Sequence, residues 1–155
     1  MSRTRFCTFA LVATLCVVAA ATAAAARGGA DGTTVKLRAT LKPSPPVLAT
    51  GEGKDGRGTF VATISKTKHT LTWRLTYAKL TGPATAAHLH YGSPAVDGGV
   101  LVPLCEPCRS GVHGTQPNLS STTIKELQTK GRLYVNVHSR RWTYGEISGP
   151  LKVVK

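Results

Sequence analysis

The chain has 155 residues, and its 20 Lys and Arg residues outnumber 7 Asp and Glu, which gives a formal net charge of +13. This length suits one domain with one hydrophobic core. The excess positive charge predicts either non-specific attraction to polyanions or, as the interpretation we favour, a surface that keeps the protein soluble. The few carboxylates include no pair placed for glycosidase chemistry, and no G-x-S-x-G elbow marks a serine hydrolase.

Residues 1–26 are typical of a secretory signal peptide. A basic start precedes an apolar run and an Ala-rich exit, with cleavage expected after Ala26. A transmembrane anchor is the alternative, which the small residues at the end of the run disfavour. The remaining chain keeps 18 Lys and Arg against 7 acidic residues, a net charge of +11, and offers no membrane span. We therefore expect a protein that is secreted, extracellular or held in the cell envelope.

Four segments after a flexible lead-in at residues 27–34 alternate apolar and polar residues, as half-buried strands do. They are residues 35–41, 58–65, 70–77 and 86–92. The Pro- and Gly-rich residues 42–58 are expected to form a long turn, and 58–77 to form a hairpin. In the fourth segment His88 and His90 share one face, and the apolar residues share the other.

Cys105 and Cys108 follow a short predicted strand at residues 100–104 and are interpreted as a disulfide, as expected in an oxidising compartment. A redox-active C-x-x-C motif is the first alternative, but Pro107 and the residues after it indicate a loop rather than a helix start. A zinc site with His113 is the second, and it lacks an evident fourth ligand.

One helix is predicted within residues 118–131, between possible Ser and Thr caps and a Gly stop. Strands at 131–139 and 146–153 complete the chain. About seven short strands with one short helix predict an all-β protein, an antiparallel β-sandwich over residues 35–155.

Four motifs in chain order resemble the CHRD domain family. They lie at Ala87–Gly92, Gly99–Leu104, Gly131–Ser139 and Gly145–Leu151, and the resemblance covers roughly residues 35–152. It implies a Greek-key sandwich of the immunoglobulin or copper/zinc superoxide dismutase type, without an assigned catalytic activity.

The same resemblance places the strand of His138 in one sandwich with His88 and His90. Three neutral imidazoles would suit Cu(II) or Zn(II), with a coordination position left for water. The alternative, which we favour, is a structural ladder of His, Asn136 and Tyr134 side chains across the strands, in which the histidines hydrogen-bond a neighbour's carbonyl or Asn136 and hold no metal. Spacing along the chain does not decide between these two interpretations.

The position of three further side chains in the sequence predicts their surroundings. Glu146 could orient His138 from beside a metal, or form a cross-strand surface pair, which is the interpretation we favour. His69 and His113 fall in predicted loops and are expected to be exposed.

Arg140, Arg141 and Trp142 form the only tight basic cluster of the chain. The sequence thus favours a non-enzymatic binding or structural role at the cell surface. The first alternative is a copper- or zinc-binding protein, and the second is a polyanion-binding protein that uses this cluster and other lysines. Anionic extracellular polymers or another protein are the expected partners, whereas export makes nucleic acid an unexpected one.

Overall fold

The computed structural model describes residues 32–96 and 98–155, so the predicted signal peptide lies outside the described residues. Nine strands and two short helices follow one another along the chain. They are β1 (Thr34–Pro43), α1 (Pro45–Thr50), β2 (Arg57–Ser65), β3 (Thr70–Ala78), β4 (Ala84–Tyr91), β5 (Val100–Cys105), β6 (His113–Gln116), α2 (Ser121–Leu127), β7 (Leu133–Ser139), β8 (Ile147–Pro150) and β9 (Lys152–Val154).

The strands form one strongly curved antiparallel sheet in the order β5-β4-β7-β8-β1-β2-β3-β6, with β9 also paired to β1. The long strand β1 joins the two halves of the sandwich. Lys36–Arg38 pair with β9, whereas Lys42 and Pro43 at its other end pair with β8. The all-β antiparallel prediction is therefore confirmed.

The two halves enclose a single core, to which every long strand contributes the apolar side of its alternation. The side chains of Leu37, Phe60, Leu75, Leu89 and Val135 are almost completely buried. The predicted inward faces of these strands are therefore the ones that pack together. The residues that alternate with them along each strand point outward, and the candidate functional residues are among these.

Helix α1 was not predicted, because its segment is rich in proline. The two prolines Pro45 and Pro46 occupy the first positions of the helix, where the missing N–H groups would have no helical partner. Gly51 ends the helix with φ of +72°, and Val47 anchors it to the core. The prediction of one long turn over residues 42–58 is thus wrong in its first half, where β1 ends and α1 lies.

Strand β6 was also missed, since its four residues do not alternate in hydrophobicity. It pairs with β3, and Gly114 fits against the ring of Trp73, so close that a Cβ there would lie 2.7 Å from the ring. His113 is consequently a strand residue and not a loop residue, although it is exposed as expected. His69 is exposed in a turn.

The predicted final strand is two strands, separated at the buried Leu151. Its backbone N–H donates to the carbonyl of Leu133, after which the chain leaves β7 and continues alongside β1. Helix α2 is shorter than predicted and begins after Ser120, whose hydroxyl accepts from the N–H of Thr123 at 2.9 Å. No helix in the described part of the chain is long and apolar enough to cross a membrane.

Candidate metal centre

The three histidines meet on the outer face of the β4–β7 pair. In β4, Leu89 points into the core, so its neighbours His88 and His90 point to the opposite side. The antiparallel register sets His138 of β7 across from Ala86, which makes it the diagonal neighbour of His88. Diagonal neighbours on one face are within reach of long side chains.

The imidazole rings approach one another closely. Nδ1 of His88 lies 3.0 Å from Nε2 of His138. The ring centroids are separated by 4.9 Å for His88 and His138, 5.4 Å for His88 and His90, and 6.0 Å for His90 and His138. One nitrogen from each ring lies within 4.8 Å of the other two, and among the described residues this is the one such group of three potential metal ligands.

Two backbone carbonyls fix the orientation of two of these rings. Nδ1 of His90 donates to the carbonyl oxygen of Gly98 at 2.7 Å, and Nδ1 of His138 donates to that of Thr143, also at 2.7 Å. Because a carbonyl only accepts, the neutral rings carry their proton on Nδ1 and leave a lone pair on Nε2. Metal-binding histidines in proteins are usually held in this way.

Nε2 of His90 is a buried acceptor that has no hydrogen-bond partner among the described residues. The His90 side chain is only 6% exposed, so a buried, unpaired lone pair is costly. Nε2 of His138 receives the proton that His88 Nδ1 directs toward it. The group therefore presents lone pairs on Nε2 of His90 and His138 and one proton, on Nδ1 of His88.

Burial lowers the pKa of His88 from 6.5 to about 4, with smaller contributions from repulsion by His138 and then His90. The ring is consequently neutral at physiological pH. A neutral imidazole is the form that binds a metal ion, so proton competition at this position is weak.

Of the two neighbours in the predicted ladder, Tyr134 contacts a histidine ring and Asn136 does not hydrogen-bond the histidines. Tyr134 stacks on His90, with the ring centroids 5.2 Å apart and the planes inclined by 24°. Asn136 lies opposite His88 in the register, but its buried amide makes no hydrogen bond to a described residue. Two of the histidines are therefore held by backbone carbonyls, as the structural interpretation also allowed, and not by Asn136.

The interpretation of Glu146 as part of a surface pair is wrong, because its side chain is fully buried, and the hydrogen bonds described for its carboxylate go to Thr81. Its carboxylate accepts from the backbone N–H of Thr81 at 2.5 Å and from the Thr81 hydroxyl at 3.1 Å. It thereby ties the loop between β3 and β4 to the start of β8. The residue acts on the fold and not on the histidines.

The predicted basic cluster is partly neutralised. Arg141 forms an ion pair with Glu52 and lies 5.9 Å from the ring centroid of Trp142. Only Arg140 of the cluster is exposed and outside an ion pair with the described residues. An anion would therefore meet one available charge at this turn.

Cys105 and Cys108 are joined as a disulfide at the end of β5, with their Cα atoms 5.2 Å apart. Disulfide sulfurs are not available as zinc ligands, so the combination with His113 does not hold a metal in this state. Gly98 and Thr143, whose carbonyls orient the histidines, could not be predicted from the sequence, because every residue possesses a backbone carbonyl.

The donor set fits a transition-metal ion. Two nitrogens bound to one ion at 2.0–2.1 Å are separated by about 2.8–3.4 Å for right-angled to tetrahedral geometry. The 3.0 Å between His88 Nδ1 and His138 Nε2 falls in this range, and a metal ion bound there would replace the proton of that hydrogen bond, so that His88 would carry its proton on Nε2. His88 and His138 are only partly buried, so an ion could reach the group from solvent.

Comparison with known proteins gives one match. The CHRD domain family model matches residues 37–151, which include every strand of the core and all three histidines. No curated protein and no solved structure matches the chain. Since the match covers most of the 155 residues and agrees with the four motifs, the chain belongs to the CHRD domain family.

Proposed function

We propose that this CHRD domain is an exported metal-binding protein, in which His88, His90 and His138 hold one Cu(II) or Zn(II) ion. The observation that carries the proposal is the buried Nε2 of His90, a lone pair without a partner beside two further imidazole nitrogens. A buried imidazole nitrogen normally has a partner, and a bound metal ion would supply one here. Binding, and not catalysis, is the assigned role.

Export is supported by the signal-like residues 1–26 and by the usual extracellular location of CHRD domains. The oxidised Cys105–Cys108 pair is consistent with that location. Outside the cytoplasm such a site would sequester or carry metal, or stabilise the sandwich.

Copper is the preferred ion. Imidazole nitrogens bind both metals, and for a given nitrogen site the affinity of Cu(II) exceeds that of Zn(II). The histidines supply three ligands and leave coordination positions for water or a partner's ligand. The lowered pKa of His88 would keep the site competent in mildly acidic surroundings.

The test is calorimetric titration of the purified, metal-free protein with Cu(II) and then Zn(II). We expect one ion per chain, tighter binding of Cu(II), and an electron paramagnetic resonance spectrum of nitrogen-coordinated Cu(II). His90→Gln should weaken binding by about 100-fold or more, since it removes a ligand whose orientation is preset. His113→Gln, which changes an exposed histidine on β6, is the matched control and should bind as the wild type does.

Absence of Cu(II) and Zn(II) binding in the wild type would refute the proposal. Equal affinity of the His90→Gln and His113→Gln variants would place the metal elsewhere. A fall in melting temperature for His90→Gln without any metal binding by the wild type would establish the histidines as structural.

A further inference from the structure

The outer face of the sheet half β9-β1-β2-β3-β6 is strongly basic. We name it the basic face, and its cations are Lys36, Arg38, Lys42, Arg57, Arg74 and Lys152, all of them exposed. They occupy outward positions, since the residues that alternate with them, such as Leu37 and Leu75, are buried. The outward positions of these five strands hold no Asp or Glu; the other outward residues are mostly threonines.

The cations of the basic face are not neutralised within the described residues. The one ion pair among the described residues joins Arg141 to Glu52, and neither residue belongs to the basic face. A charged surface usually intersperses both signs, because this avoids repulsion within the folded state. A face with one sign of charge is a feature of proteins that attract oppositely charged partners.

The strand register brings like charges together. Arg38 lies directly opposite Lys152, and the same row continues through Val61 to Arg74 and His113. Neighbouring strands are about 4.8 Å apart, and like charges that face each other across strands destabilise a sheet. An anion bound along this row would relieve the repulsion.

Two depressions meet at Arg38, the first along this row and the second along β1 toward Lys42. The first, of about 420 Å³, has Arg38, Arg74 and His113 at its rim and Val61 on its surface. The second, of about 480 Å³, is lined by Arg38 and by Lys42, Lys152 and Ser148. Together the depressions form a shallow channel bordered by cations.

We propose that the basic face binds a linear, extended polyanion, an extracellular polymer with repeated sulfate, phosphate or carboxylate groups. A chain can follow a channel and meet successive cations, whereas a flat lipid surface cannot enter one. The face also has no Trp, Tyr or Phe on which the bases of a single-stranded nucleic acid could stack, because Trp73 of β3 points into the core and is only 6% exposed. This places polyanion binding on β1, β3 and β9 instead of the turn at Arg140–Trp142.

The test measures the affinity of the purified protein for heparin, a linear sulfated polymer, by calorimetry in the presence of EDTA. The chelator removes any contribution from metal bound at the histidines, so this test is independent of the metal proposal. The variant is Arg38→Gln/Arg74→Gln. The control is Lys130→Gln/Arg140→Gln, which removes the same number of exposed charges away from the basic face.

We expect Arg38→Gln/Arg74→Gln to weaken heparin binding by about 20-fold, since one cation close to an anionic surface contributes roughly a factor of five. The slope of log affinity against log salt concentration should become shallower by about two. The control should bind within about twofold of the wild type, and both variants should keep the wild-type melting temperature.

Three outcomes would overturn the proposal. Equal losses in the two variants would show that net charge alone attracts heparin. Binding of inorganic sulfate as tight as that of heparin would exclude recognition of a polymer. Tighter binding to vesicles containing anionic phospholipid than to heparin, lost in Arg38→Gln/Arg74→Gln, would identify a membrane surface as the partner.

Discussion

Glu146 offers the sharpest test of how this fold is held together. Its buried carboxylate accepts two hydrogen bonds from Thr81, one from the backbone N–H and one from the hydroxyl. A hydrogen bond to a charged group contributes about 1.5–3 kcal/mol. Thr81 is exposed, so water can replace part of what Glu146→Ala removes, and the lower value applies to each bond. We expect Glu146→Ala to reduce the free energy of unfolding by about 3 kcal/mol.

The measurement is urea denaturation followed by tryptophan fluorescence, with the midpoint compared at an unchanged m-value. Glu146→Gln keeps an acceptor for the Thr81 N–H and a similar volume, so it should cost about 1 kcal/mol. Glu52→Ala is the matched control, because this exposed glutamate forms a surface ion pair with Arg141 and should cost less than about 1 kcal/mol. A loss for Glu146→Ala no greater than that for Glu52→Ala would refute the reasoning.

Three further changes test separate parts of the structure. In metal-free protein, acid should destabilise the fold, because the unfolded chain protonates His88 near pH 6.5 and the folded chain only near its lowered pKa of about 4. With solvent screening at this partly exposed ring, we expect the free energy of unfolding to fall by about 1 kcal/mol between pH 6.5 and pH 4. His88→Gln should make this fall smaller, and parallel curves of unfolding free energy against pH for the variant and the wild type would contradict the prediction. Ser120→Ala removes the N-cap of α2 and should cost about 1 kcal/mol in urea denaturation; an unchanged midpoint would disprove the cap. In Gly149→Ala the new Cβ would overlap the carbonyl oxygen of Thr40, so we expect the free energy of unfolding to fall by about 3 kcal/mol. Gly82→Ala, in open space, is its control, and equal melting temperatures would contradict the contact.

Much of the strand structure could be predicted because alternation is a local property. A strand sends successive side chains to opposite faces, so the pattern from Leu71 to Leu75 identified both the strand and its buried side. The errors fall where this signal is absent. The Pro-rich α1 does not resemble a helix interior, and β6 carries almost no apolar residues to alternate.

Part of the candidate site, the pair of histidines on β4, could also be predicted from local alternation. His88 and His90 share a face because they are two residues apart on a strand, whichever strand lies beside them. Glu146 shows the limit of such reasoning. A lone glutamate near a turn is usually exposed, and only the loop that brings Thr81 to it explains its burial.

The sequence by itself determined the CHRD motifs, the antiparallel sandwich and the common face of the two histidines of β4, since each depends on local pattern. Only the tertiary structure decided that β7 pairs with β4 in the register that brings His138, 50 residues away, to 3.0 Å from His88. It alone also revealed the carbonyls that orient the rings and the gathering of Arg38, Arg74 and Lys152 on one face. Strand pairing depends on how the whole core packs, and such long-range packing leaves no local pattern in the residues that it brings together.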